Sequence, residues 1–303
     1  MPSRWTFLAP HLLAAVALLL CGGCKERTAE VPVPRTPADA GSRTPERWEP
    51  LSFDNRLLAL GGEVDSSNRY SAAVMIAVRL EGAETMRCGG VAIGRRLVLT
   101  AGHCVCARRR SQLSGTIDTS ACATTATVET VLYKPTTLGK EPGASRRDVY
   151  QGRVRPHPQL QVLLDKDGRV VSSQADLALV LLNEELGEGV RAVSLAETDV
   201  RVGEPISIVG YGYDEVSNVH GADRRISRNK ALASTGEIVR IEQPGQHRYR
   251  GESGGPCLRE DARESELVGV SSRYLGEGST FTSIHGYRGW LRDELQRSDT
   301  VKD

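Results

Sequence analysis

Three residues of this 303-residue chain have types that could act together, although they lie far apart in sequence: Ser253, His103 and Asp176. Ser253 sits in Gly251-Glu252-Ser253-Gly254-Gly255-Pro256-Cys257, where glycines let the backbone turn tightly and bring amide N–H groups close to a reacting oxygen. A serine hydroxyl is a weak nucleophile at neutral pH and needs an adjacent base to take its proton. His103 could be that base, because an imidazole both accepts and returns a proton near pH 7. Asp176 is the one charge heading the apolar run Leu177-Ala178-Leu179-Val180-Leu181-Leu182, where ionisation is costly without a partner. It could hold the imidazole ring in one tautomer and stabilise its cation. Each residue also has a plainer reading. Gly-x-Ser-Gly-Gly occurs in flexible loops, a histidine at a strand end can be a core residue or a metal ligand, and an aspartate can simply start a strand. Zinc is a poor match, since Cys104-x-Cys106 with one adjacent histidine lacks the ligand pairs of a tetrahedral site. No metal and no cofactor is expected.

The elements that must position these residues are short. Ala73–Val78, Gly90–Gly94 and Leu97–Thr100 are apolar runs separated by Gly, Asp, Asn and Ser, with no convincing helix between them. They predict an all-β barrel or sandwich. Lys166-Asp167-Gly168-Arg169 predicts a hairpin turn between Val162–Leu164 and Val170–Val171. The one good helical pattern is Tyr287–Leu295, in which Tyr287, Trp290, Leu291 and Leu295 share a face. The 31 Gly and only three Phe suit a turn-rich β protein, and a net charge of +1 gives no support to a nucleic-acid partner. His157, His220 and His285 read as structural, and Arg108-Arg109-Arg110 as a solvated charge cluster.

The N-terminal residues read as an export signal. Arg4 precedes a Leu, Ala and Val run from Leu12 to Leu20, too short to span a bilayer but long enough for a signal-peptide core. It ends in Cys21-Gly22-Gly23-Cys24, which resembles a bacterial lipobox with Cys24 as the lipidated residue. Lipidation would give a membrane anchor and a place in the cell envelope; an ordinary cleaved signal would give a secreted product. Residues 25–58 then form an extended Pro-rich tether or propeptide, and 59–303 the folded domain. Of seven cysteines, five lie in that domain, which suggests two disulfides and a leftover thiol whose connectivity spacing alone does not give.

Cys88-Gly89-Gly90-Val91-Ala92-Ile93 followed by Leu97-Val98-Leu99-Thr100-Ala101-Gly102-His103-Cys104 resembles the histidine motif of the trypsin-like (chymotrypsin-fold) serine proteases. Further landmarks follow in the family's order. Ala175–Leu182 resembles the aspartate strand, Val209-Gly210-Tyr211-Gly212 a glycine-aromatic-glycine turn, Gly251–Pro256 the nucleophile loop, Leu267–Ser272 the strand after it, and Thr280–Leu291 the last strand and helix. Coverage is roughly residues 59–297, and the chain looks like an exported bacterial member. The resemblance implies two six-stranded antiparallel β-barrels with a C-terminal helix. It implies a serine endopeptidase acting on polypeptide through a Ser253–His103–Asp176 triad and an acyl-enzyme, with an oxyanion hole at the N–H groups of Gly251 and Ser253. Ser272 is carried over as support for the aspartate, and a Cys88–Cys104 disulfide would pin the histidine turn. Cys106 and Cys122 then pair by elimination, leaving Cys257 free.

The chain also departs from the pattern. Glu252 stands where the family usually has an aspartate paired with a new N-terminus released by proteolysis. The stretch matching that terminus is Ala59-Leu60-Gly61-Gly62, preceded by Leu58 rather than Arg or Lys. Activation by cleavage is therefore not carried over, and Glu252 is expected to meet another internal cation. The pocket-floor position is His247, beside Arg248, so cleavage after Lys or Arg is not implied and an acidic or polar side chain suits the site better. Tyr249 replaces the usual cysteine there, so the register of this loop is loose. The loops after Cys104 and before Asp176 are long, and the charged Gly221–Arg225 segment is expected to border substrate access. Glu252 and the missing activation terminus support the alternative, a protease-fold binding module without turnover.

Overall fold

In Leu97–Thr100 and Ala178–Leu182 alternate residues go to different apolar clusters, which is why these two strands read as continuous apolar runs. The computed structural model describes residues 48–49, 63–80, 85–111, 113–134, 144–168, 170–214, 219–220, 223–242, 253–260, 264–272 and 279–300. Twelve strands build two closed antiparallel rings, numbered here in chain order. The first ring contains β1 (Ala73–Arg79), β2 (Thr85–Ala92), β3 (Leu97–Thr100), β4 (Thr125–Tyr133), β5 (Ser145–Pro156) and β6 (Ala178–Leu182). The second contains β7 (Pro205–Gly210), β8 (Arg225–Thr235), β9 (Ile238–Glu242), β10 (Pro256–Glu260), β11 (Ser265–Ser272) and β12 (Ser279–Ser283).

The first ring closes in the order β1-β2-β3-β6-β5-β4 and back to β1. The second repeats it as β7-β8-β9-β12-β11-β10 and back to β7. This is the expected pair of six-stranded β-barrels, and closure removes the free edges an open sheet would expose. Val98, Ala178, Val180 and Leu182 fill the interior of the first barrel. Their neighbours Leu97, Leu99, Leu177, Leu179 and Leu181 face the other way, against Val209, Ile226, Leu258, Leu267 and Val270 of the second barrel. A period of two thus serves an interior and an inter-barrel seam at once. Ile206, Ile208, Val239, Ile241, Val268 and Phe281 make the second interior.

Smaller pieces attach to the barrels. A four-stranded sheet joins Arg109–Arg110, Ser114–Asp118, Gln161–Asp165 and Val170–Gln174, so the predicted hairpin forms half of an accessory sheet. Trp48–Glu49 pairs with Arg146 and Ser145 of β5, inside the stretch expected to be an extended tether. The remaining N-terminal residues up to Gly62, with Cys24, lie outside the described residues. The C-terminal helix α1 runs Arg288–Thr300 after a 3-10 turn at His285–Tyr287, and it buries Leu291 against the seam with Tyr287, Trp290 and Leu295 alongside.

One expectation about access is corrected. Asp223, Arg224 and Arg225 are buried, not a charged border of the cleft. Arg224 Nε donates to Asp65 Oδ2 at 2.9 Å, its Nη2 reaches Asn68 Oδ1 at 3.2 Å and its backbone N–H donates to the Tyr133 hydroxyl. Its Nη1 donates to the Val131 carbonyl of β4, so a charge next to β8 ties the second barrel to the first. Burial is tolerated because the guanidinium is both paired and hydrogen-bonded.

Candidate active site

His103 lies on the one-turn 3-10 segment Gly102–Cys104 that follows β3. The turn is closed by Cys104 N–H donating to Ala101 O and Val105 N–H to Gly102 O, both at 3.1 Å. A disulfide from Cys104 to Cys88 fastens it to β2, and a second disulfide joins Cys106 to Cys122. Gly102 has a local reason to be glycine, since a Cβ there would lie 2.6 Å from Leu160 Cδ1. Cys257 is free and buried in apolar surroundings, which push its thiol up to about 12 and leave it un-ionised at neutral pH.

Asp176 comes from the segment that leads into β6. Because Ala178 pairs with Thr100, Asp176 and His103 project from the same end of neighbouring strands. Asp176 Oδ2 accepts from His103 Nδ1 at 2.6 Å, and Oδ1 accepts from the His103 backbone N–H at 2.8 Å. The Ser272 hydroxyl, at the end of β11 in the other barrel, donates to Oδ2 at 2.9 Å. Burial alone would push the Asp176 carboxyl up, but its electrostatic interaction with the His103 ring and these hydrogen bonds together hold it below the usual carboxylate value. The carboxylate fixes the ring with the proton on Nδ1. His103 Nε2 is buried and has no hydrogen-bond partner among the described residues. One ring nitrogen is thus hydrogen-bonded to the carboxylate, and the other has no partner among the described residues.

Ser253 is brought to this turn by its backbone. Its carbonyl accepts from Gly89 N–H of β2 at 2.9 Å, one residue from the disulfide that holds the histidine turn. Gly254 has φ +89°, and a Cβ there would lie 2.2 Å from Thr100 Oγ1 and 2.4 Å from Gly89 O. Only glycine allows this conformation and this approach. Gly254 N–H donates to Ser271 O at 2.7 Å and Ser271 N–H to Gly255 O at 2.8 Å, which locks the segment onto β11. Of the residues singled out in the sequence, His103, Asp176 and Ser272 touch, and Ser253 is docked on the strands that carry His103. Gly251 and Glu252, with His247 and Arg248, lie outside the described residues.

A family model described as Trypsin matches residues 62–291. The chain belongs to the trypsin family. Two curated relatives come from insects. The phenoloxidase-activating enzyme of Bombyx mori is 25% identical over 285 residues, covering 78% of this chain and 60% of the relative. Phenoloxidase-activating factor 1 of Holotrichia diomphalia is 24% identical over 249 residues, covering 70% of this chain and 63% of the relative. The chain therefore spans less than two thirds of the length of these relatives. Among solved structures, the scabies mite inactivated protease paralogue S-I1 superposes with a TM-score of 0.54 at 21% identity, over 78% of this chain and 99% of the other. That likeness is one of fold.

Two residues not singled out as site residues in the sequence hydrogen-bond the segment that carries Asp176. Tyr287 was legible only as part of a helix face, and Glu237 carried no signal at all. Both bond the backbone N–H of Ala175, the residue before Asp176. Ala175 itself has φ +49°, in the left-handed region that a residue with a Cβ rarely adopts. His157, expected to be structural, is buried with its ring edge-on to Tyr287 and Trp290 at 4.9 and 4.6 Å.

Proposed function

We infer that the protein is a serine endopeptidase that cleaves polypeptides through an acyl-enzyme. The observation that carries this reading is the buried His103–Asp176 pair with His103 Nε2 left open. Ser253 Oγ attacks the scissile carbonyl while its proton passes to His103 Nε2. Asp176 stabilises the resulting imidazolium and keeps the ring oriented. The N–H groups of Gly251 and Ser253 receive the oxyanion, where one such donor contributes about 3 kcal/mol of transition-state stabilisation. His103 then returns the proton to the leaving amine, and water releases the acyl group by the same route in reverse. His247 and Arg248 favour an acidic or polar side chain at the specificity pocket, on charge alone.

The signal-like Leu12–Leu20 run and two disulfides support export into an oxidising compartment. Cys24 supports anchoring in the manner of a bacterial envelope lipoprotein. A second reading, a binding module without turnover, draws on Glu252 and on the absence of a described Ser253–His103 hydrogen bond. Unliganded sites often make that bond long and tighten it with substrate, so the catalytic reading is preferred. A fluorophosphonate probe decides between them. Labelling that disappears in Ser253→Ala is the expected result; a wild-type protein that stays unlabelled sinks the protease reading.

A further inference from the structure

We propose that Glu237 is a positioning residue for Asp176, reaching from the second barrel to hold the Ala175–Asp176 turn in the conformation that aims the aspartate at His103. This rests on the reading of Asp176 as the orienter of His103.

Glu237 lies in the tight turn between β8 and β9, on the other barrel from the residue it controls. Ala175 N–H donates to Glu237 Oε2 and to the Tyr287 hydroxyl, both at 2.9 Å. The Tyr287 hydroxyl in turn donates to the same Oε2, so the three groups form a closed triangle. Leu177 N–H donates to Ala175 O at 2.6 Å and fixes the other side of the turn. Two described non-glycine residues have positive φ, Asn68 and Ala175. Asparagine tolerates that region; alanine does not, and the conformation persists only where surrounding contacts over-determine it. Glu237 and Tyr287 are those contacts. The next residue along is Asp176, whose two oxygens must meet the His103 ring, the His103 backbone N–H and Ser272 together. A rotation of the Ala175 peptide would turn the carboxylate away from at least one of them.

The chemistry of Glu237 argues for more than a structural tie. Burial raises its carboxyl above the usual glutamate value, the Ala175 N–H opposes this, and the charge of Asp176 raises it further. The charge of Asp176 acts on it, the neutral Tyr287 phenol donates to it, and His157 packs edge-on to Tyr287. The Asp176 charge adds to the cost of ionising Glu237, whereas a glutamine would supply the same acceptor oxygen without that penalty.

Three variants test the proposal on the full chain: Glu237→Ala, Glu237→Gln and Tyr287→Phe. Each is measured for fluorophosphonate labelling rate, for kcat and KM on a peptide substrate, and for the low-field proton NMR signal of His103 Nδ1–H. The NMR signal is recorded in a Ser253→Ala background, so it does not depend on turnover. Glu237→Ala is expected to lower labelling and kcat by about 100-fold with KM little changed, the size of a 1 Å misplacement. It should also shift or broaden the His103 signal. Glu237→Gln, which keeps the acceptor, should restore both, and Tyr287→Phe should fall between. If Glu237→Ala keeps the His103 signal and, in a protein that labels, the wild-type rate, the proposal is overturned. A lowered melting temperature with the signal intact overturns it as well. If the wild-type protein never labels but the signal still responds to Glu237, the positioning role stands and the protease reading falls. Should Glu237→Ala fail to fold, Tyr287→Phe with an unchanged signal overturns the proposal.

Discussion

In the first barrel, the two groups that meet follow β3 and precede β6, strands that pair at Thr100 and Ala178. In the second barrel, Ser253 comes just before β10 on a segment that crosses to Gly89 of the first. The rings have the same strand order, yet their contributions are held differently. The base and its carboxylate are fixed by a disulfide-bound turn, a strand register and buried hydrogen bonds. The serine is fixed by main-chain bonds to strands on either side of the seam and by a glycine with no room for a side chain. One barrel supplies a rigid pair, and the other supplies a residue that is only as well placed as the seam between them. Ser272 and Glu237 show that the second barrel also reaches back to steady the first.

Breaking the rigid pair should have the largest effect. Asp176→Asn keeps the shape but leaves the ring free to take the wrong tautomer, and kcat should drop by about 10,000-fold with little change in fold. Peptide hydrolysis and circular dichroism check this together; a loss of less than tenfold would mean that Asp176 does not orient the base. Breaking the seam is next. Arg224→Ala removes one partner of the buried Arg224–Asp65 pair and leaves the carboxylate with a lost charge partner, so stability should fall by about 3–5 kcal/mol. Denaturant unfolding measures it. If the comparison between the barrels is right, labelling of Ser253 should weaken before the His103 signal does as denaturant is added, because the seam opens first.

The smallest effect is a pH slope at the edge of the first barrel. Burial holds His157 below the usual histidine value of 6.5. The native state therefore favours the neutral ring, and its Nδ1 accepts from Gln159 N–H at 3.1 Å. The stability this gives is complete above pH 6.5 and is lost as pH falls from there towards the lower native value, because the unfolded chain protonates first. His157→Asn should flatten stability across that window, as followed by melting temperature from pH 7 to 5. A slope that survives the substitution assigns it to another group.

Much of this arrangement was legible in the residues. Leu97–Thr100 and Leu177–Leu182 are buried on both faces and so stand out as apolar runs, and the polar residues near their ends, His103 and Asp176, stand out by contrast. Ser253 was visible through its glycines, and Gly254 has the positive φ such a loop requires. What could not be read depends on distance along the chain. Arg224 displayed a charge among charges, and nothing local says that Asp65, Asn68 and Tyr133 converge to bury it. Glu237 meets Ala175 only because ring closure brings the β8–β9 turn to the end of the first barrel. The accessory sheet was half visible, as one hairpin, since its other strands come from the segment after Cys106.

The pairing of β6 with β3 also sets an order of events. These strands are far apart in sequence, so their contact must wait for the intervening segments of the first barrel to gather, and such pairings form slowly. A slip of one residue would send Leu177, Leu179 and Leu181 to the wrong face and carry Asp176 away from the imidazole. The base–carboxylate pair therefore requires that β3 and β6 meet in correct register. Until that register is reached, the His103–Asp176 pair is not assembled, so the geometry of the site depends on a contact between distant parts of the chain.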